Sequence, residues 1–160
     1  MNDIIIKKAT QIDREQLIKI FEHYRNKDII ENRVECYLSH NNTVIAKSGN
    51  KVIGKIQWLV KEDPNSGVVE FEELFIHEKY RNRGVGYKLV KYCIEEVINF
   101  FKTVRIKGRS IYLFANEKNL NARKLFERFG FENITNLGNL FSDDESELLY
   151  VLNIKKFKVY

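Results

Sequence analysis

One continuous stretch holds most of the residues able to do chemistry. It runs Glu70-Phe71-Glu72-Glu73-Leu74-Phe75-Ile76-His77-Glu78-Lys79-Tyr80-Arg81-Asn82-Arg83-Gly84-Val85-Gly86. Three carboxylates on a β-rich run can bind a cationic amine or accept its proton, directly or through water. The basic, glycine-punctuated turn that follows suits an anion. A helix that begins at such a turn leaves backbone N–H groups unpaired and carries partial positive charge at its start. Both features favour a bound phosphate. Gly84 and Gly86 lack Cβ atoms and let a phosphate approach the backbone, and the forked guanidinium groups of Arg81 and Arg83 match phosphate oxygens. The plainer reading is a helix that starts after a glycine turn. The preceding strand, the basic loop, the paired glycines and the long following helix together favour phosphate. No Gly-Lys-Ser/Thr follows, so this is not a Walker A loop, and no GxGxxG is present to bind a dinucleotide.

At these residues the sequence resembles the GNAT superfamily of N-acetyltransferases. Arg81-Asn82-Arg83-Gly84-Val85-Gly86 is similar to that family's Gln/Arg-x-x-Gly-x-Gly/Ala turn. A second segment, Asn119-Leu120-Asn121-Ala122-Arg123-Lys124-Leu125-Phe126-Glu127-Arg128-Phe129-Gly130-Phe131, resembles the family's Asn-x-x-Ala...Leu-Tyr-x-x-x-Gly-Phe run. The resemblance implies acetyl-CoA as cosubstrate and a primary amine of a small molecule or protein as acceptor. It implies that backbone groups of Leu74, Phe75 and Ile76 pair with the pantetheine arm. It places the pyrophosphate within Asn82, Arg83, Gly84, Val85, Gly86 and Tyr87, beside Arg81. Asn119 would hydrogen-bond the pantetheine arm while also capping its helix. Relatives that use a glutamate base carry it at the positions of Glu70 or Glu72. Glu72 is the first choice as base or amine binder, then Glu73, then Glu70; a solvated strand face is the alternative for each.

The sequence departs from the family at Phe126. Many relatives have a tyrosine there, near the thioester sulfur, and a phenyl ring has no proton to give. Water, another group or an unassisted thiolate must then serve. Tyr112 and Tyr150 are substitutes by type, although both read as packed strand residues. The missing hydroxyl also leaves open a coenzyme A-binding module with little catalysis.

These residues need a scaffold. The 160-residue chain, 44% hydrophobic and 31% charged, suits one compact domain, and the resemblance implies that residues 1–160 form a single N-acetyltransferase domain. Such a domain buries about 70% of its unfolded surface and needs no disulfide. Strand Ile4–Ala9 leads to a helix opened by Thr10, with Asp13 placed for a capping box and Ile12, Leu17, Ile18, Ile20 and Phe21 on its apolar face. A shorter helix over Glu31–Ser39 follows. Strands are expected over 43–48, 51–60 and 68–76, separated by Gly49-Asn50 and by a turn over 63–67. Apolar residues at three- and four-residue steps from Gly84 to about Lys102 predict a long amphipathic helix. Strand 110–115, helix 119–129 ending at Gly130, and strands 131–135 and 147–154 complete the order. The expected class is a mixed α/β (α+β) GNAT-like fold, with a largely antiparallel central sheet flanked by helices.

The remaining residues exclude more than they assign. His23, His40 and His77 show no metal-ligand spacing, and no metal is expected. His77 reads as a capping or surface group. Cys93 falls on an apolar helix face, and Cys36 has no nearby base in sequence, so no acyl-cysteine is expected. Two distant cysteines suggest a reduced, cytoplasmic setting, and no run of about 18 apolar residues suggests a membrane span. The net charge of +5, from 27 basic and 22 acidic residues, favours anionic ligands. A nucleic-acid-binding domain has little support without an aromatic strand motif or recognition helix. The acid-rich run 142–147 is either an ordinary hairpin loop or one border of the acceptor cleft, with residues 21–37 on the other side. The alternating tail 155–160 allows an edge contact in a homodimer.

Overall fold

Hydrophobic periodicity becomes architecture with few departures. The computed structural model describes residues 3–21, 26–61 and 63–157. His23, part of the 21–37 segment and the tail residues 158–160 lie outside them. Strands are β1 (Ile4–Lys8), β2 (Thr43–Ser48), β3 (Lys51–Val60), β4 (Val68–Ile76), β5 (Ser110–Asn116), β6 (Glu132–Asn136) and β7 (Glu147–Asn153). Helices are α1 (Arg14–Ile20), α2 (Lys27–Ser39), α3 (Val85–Thr103) and α4 (Leu120–Glu127). The strands form a sheet in the order β1-β2-β3-β4-β5-β7-β6. β4 pairs with β5 in parallel, because the 19-residue helix α3 carries the chain back between them, whereas β1 with β2, β2 with β3, β5 with β7 and β6 with β7 are antiparallel. The mixed, largely antiparallel fold expected from sequence is the one observed.

By compactness the chain divides into two units. The first comprises Met1–Gln57 and Glu73–Tyr92. Its core gathers Leu17 and Phe21 after β1, Ile30 and Val34 of α2, and Ile45 and Val52 of the sheet. Asp13 is buried here. Its carboxylate accepts hydrogen bonds from the Thr10 amide at 3.1 Å and Lys47 Nζ at 2.7 Å, and lies 3.3 Å from Lys7. The segment after Thr10 begins as a 3-10 turn over Gln11–Asp13 before α1 starts. Ile12 is consequently exposed rather than on the apolar face.

Trp58–Glu72 and Cys93–Tyr160 form the second unit. β5 and β7 alternate between buried and half-buried residues, with only Asn153 at the end of β7 exposed, as expected for strands with one face on a core. Phe71, Phe131 and Phe126 form an aromatic series, with centroid separations of 6.1 and 5.5 Å. Gly130, at φ +87, ends the helical turn after α4. The tail does not extend β7 as an alternating strand: residues Ile154–Lys156 turn into a 3-10 helix, with the Ile154 amide bonded to the Arg109 carbonyl.

Candidate active site

The turn before α3 combines left-handed backbone with exposure. Asn82 (φ +58) and Gly84 (φ +76) both occupy the left-handed region, which costs glycine little and asparagine less than most residues. Arg81, Asn82, Arg83 and Gly84 are exposed, whereas Val85 is buried and anchors the start of the helix. Lys88 N–H reaches Gly84 O at 3.1 Å, so the amides of Val85, Gly86 and Tyr87 stand in the helix's opening turn, where no preceding intrahelical carbonyl exists. A Cβ on Gly84 would meet nothing within 4 Å, so the backbone there faces open space of the kind a phosphate needs.

Arg81 does more than lend charge. Its Nε donates to the Ile76 carbonyl at 3.0 Å, tying the turn to the end of β4. Of the three backbone positions expected to meet pantetheine, Ile76 therefore already uses its carbonyl, beside Leu74 and Phe75. Gly54 on β3 sits at a close approach of three elements. A Cβ there would lie 3.0 Å from Phe75 O and 3.1 Å from a Leu89 methyl, so glycine permits β3, β4 and α3 to approach closely. His77 caps the short turn before Arg81: its Nδ1 accepts from the Lys79 amide at 3.4 Å.

The three glutamates divide between two sets of partners. Glu70 and Glu72 both take the Lys61 ammonium, at 2.9 and 3.0 Å, and Glu70 also accepts from the Tyr112 hydroxyl at 3.2 Å. Burial disfavours the Lys61 charge, but the two carboxylates more than offset it and hold Lys61 well above the ordinary lysine range. Glu73 instead meets Lys55 Nζ at 2.8 Å and Arg33 Nη2 at 2.5 Å. Lys55 is fully buried, bonded to Gln57 at 3.1 Å and set 3.8 Å over the Phe21 ring. Glu73 sits at φ +51, a sparsely populated conformation for a residue with a side chain. This break falls between the glutamates and the Leu74–Ile76 backbone. Lys55, Lys61 and Arg33 escaped the sequence reading because ordinary surface lysines and arginines look the same before pairing is known.

In the second unit, Asn119 Oδ1 accepts from the Ala122 amide at 3.2 Å and caps α4. Phe126 is buried, edge-on to Phe131. The Tyr150 hydroxyl donates to Glu127 at 2.8 Å and accepts from Arg123 Nε at 3.1 Å; burial is the main reason its pKa is raised. Tyr150 is thus a packed strand residue within a hydrogen-bond network. The Cys93 thiol is pushed up by burial, with Glu96 adding to the effect, and is inert as a nucleophile. Cys36 has a neighbour the sequence reading passed over. His40, one helical turn on, brings Nδ1 to 3.8 Å from Sγ, but Nδ1–H donates to the Cys36 carbonyl at 2.7 Å and so is not a base for the thiol. Among the described residues, no group of three His, Cys, Asp or Glu could hold a metal ion, and no helix is long and apolar enough to cross a membrane.

With this geometry in hand, comparison with known proteins identifies the family. A stretch of 71 residues is 37% identical to the spermine/spermidine N(1)-acetyltransferase of Bacillus subtilis (strain 168), covering 44% of this chain and 43% of that protein. The chain thus matches less than half the length of this relative. An N-acetyltransferase from Staphylococcus aureus Mu50 superposes with a TM-score of 0.80 at 15% identity, over 95% of this chain and 99% of that one. The Salmonella typhimurium protein yncA, solved with its cofactor acetyl-CoA, superposes with a TM-score of 0.81 at 15% identity, over 99% and 98%. At that identity the two structures speak for the fold. Residues 6–131 match the model of the Acetyltransferase (GNAT) family, and the chain belongs to that family.

Proposed function

We propose that the protein is an acetyl-CoA-dependent N-acetyltransferase acting on a primary amine. The observation that carries this reading is the exposed, left-handed turn Arg81–Gly84, anchored by buried Val85 at the head of α3. Its open space at Gly84 fits a diphosphate held by backbone amides of residues 82–87, with Arg83 adding charge. Leu74 and Phe75 offer backbone groups to the pantetheine arm, and Asn119 contributes a further polar contact. Acetyl-CoA supplies an acyl group activated as a thioester. The chain's own residues hold the amine and move its proton. Glu72 binds the acceptor's ammonium and takes its proton, directly or through water; the nitrogen then forms the new C–N bond as the C–S bond breaks. The nitrogen's second proton passes to water and water protonates the departing thiolate, since Phe126 has no hydroxyl.

That same Phe126, buried against Phe131, favours one competing reading, a coenzyme A-binding protein with little catalysis. Release of free thiol from acetyl-CoA with a panel of primary amines separates the two. Binding without thiol release on any amine would reject the transferase. Gly84→Glu tests the turn itself. The new carboxylate opposes the phosphates and a side chain is strained at φ +76, so acetyl-CoA affinity should fall by at least tenfold in titration calorimetry. Unchanged affinity in a variant with native circular dichroism would overturn the placement.

A further inference from the structure

A cavity of about 490 Å³ opens on the second unit, with Val68, Tyr112, Phe114, Leu140, Leu149 and Val151 among its walls. Its size is ordinary for a small-molecule site, and so is its lining, which is apolar with few polar groups. Strand register explains how the walls assemble. Glu70 lies opposite Tyr112 on β5, Tyr112 opposite Val151 on β7, and Phe114 opposite Leu149. Side chains alternate along a strand. Val68, Glu70 and Glu72 therefore share one side of β4, while Val69 and Phe71 are buried on the other. The cavity lining thus passes from Val68 and Ser110 across two aromatic rings to Leu149 and Val151, and Glu70 and Glu72 follow Val68 along the same side of β4. Two interstrand steps separate Glu70 from Val151, about 10 Å.

The polar end is charged. Glu70 and Glu72 share Lys61, so these three groups together carry one net negative charge. Tyr112 joins the two ends: its ring lines the cavity and its hydroxyl donates to Glu70. An ammonium is the natural complement of the carboxylates. A second ammonium on the same molecule would be pressed against Leu149 and Val151, where an unpaired charge is costly to desolvate.

The geometry points to an acceptor that is a monoamine with an apolar body, aryl or alkyl, about 5–10 Å long. Its ammonium sits at Glu70 and Glu72, and its body lies against Phe114, Leu149 and Val151. A polyamine, charged along its length, is the poorer fit. This inference rests on the transferase reading for its chemistry but not for its binding. The test is titration calorimetry of the full chain with 4-phenylbutylamine and with spermidine, without acetyl-CoA. The phenylalkyl amine should bind at least tenfold more tightly. Leu149→Asp, and the milder Leu149→Gln should the first fail to fold, should weaken it by about tenfold or more. Spermidine binding as tightly as 4-phenylbutylamine would overturn the inference. So would variants that leave 4-phenylbutylamine affinity unchanged while dissociating a dimer in sedimentation, since the face would then be a subunit contact. Thiol release, measured separately, keeps the two failures distinct. Tight phenylbutylamine binding with no release on any amine rejects the transferase alone. Release on other amines without phenylbutylamine binding rejects the pocket alone.

Discussion

Glu72 and Glu73 are sequence neighbours with different employment. One shares Lys61 with Glu70; the other is clamped between buried Lys55 and Arg33 at a left-handed backbone position. A glutamate held by a fully buried lysine has structural work to do. A half-buried carboxylate on the cavity side of β4 is better placed to meet a substrate. Glu72→Gln keeps the shape and removes the charge, so kcat should fall by about 100-fold, within the usual range for a lost general base. The acetyl-CoA dissociation constant should change less than threefold. A loss shared equally between kcat and cofactor affinity would assign Glu72 to folding instead. At this scale the sequence shows that three acids occupy one strand, and side-chain alternation along a strand sets Glu73 apart from the other two. It cannot show which cations they meet, because Lys55, Lys61 and Arg33 come from distant positions.

Elements were more legible than contacts. The starts of β2, β3, β4, β5 and β7 follow from alternation and turn residues, and α3 follows from its three- and four-residue apolar steps. The departures have local causes. Ile12 is exposed because a 3-10 turn rotates it away from the face that a regular helix would give it. The tail leaves the sheet at Ile154 despite its alternating sequence, where the amide bonds Arg109. The junction of β1 and α1 depends on Asp13. Burial would raise its carboxyl pKa, but hydrogen bonds from Lys47, the Thr10 amide and Lys7 outweigh that effect and hold it below the ordinary aspartate value. A depressed folded-state pKa means stability that is present above the ordinary value and lost as pH falls through the folded one. Asp13→Asn should therefore destabilise the protein at pH 7 by about 3 kcal/mol. Its urea midpoint should also fall less steeply than wild type below about pH 4. Parallel acid limbs for the two proteins would contradict this role.

For the whole molecule the most consequential quantity is its net charge of +5. A basic chain attracts a polyanionic cosubstrate over distances comparable with the Debye length, about 10 Å at 0.1 M salt. Raising sodium chloride from about 0.05 to 0.3 M should weaken acetyl-CoA binding several-fold, chiefly through slower association in stopped-flow traces. Salt-independent association would assign capture to the turn's amides alone. The charge and the element order were readable from sequence. The division into two compact units was not, because no composition shift or linker marks a boundary and the chain crosses between units within β3, β4 and α3.

The Lys61 ion pairs carry one further consequence. An enzyme that holds an activated acyl group risks modifying itself, and the Lys61 amine lies beside the strand proposed to meet the acceptor. Only an unprotonated amine has the lone pair to attack. With Glu70 and Glu72 holding Lys61 as an ammonium far above neutral pH, that amine is disarmed, and self-labelling at this lysine should stay silent wherever both carboxylates are intact.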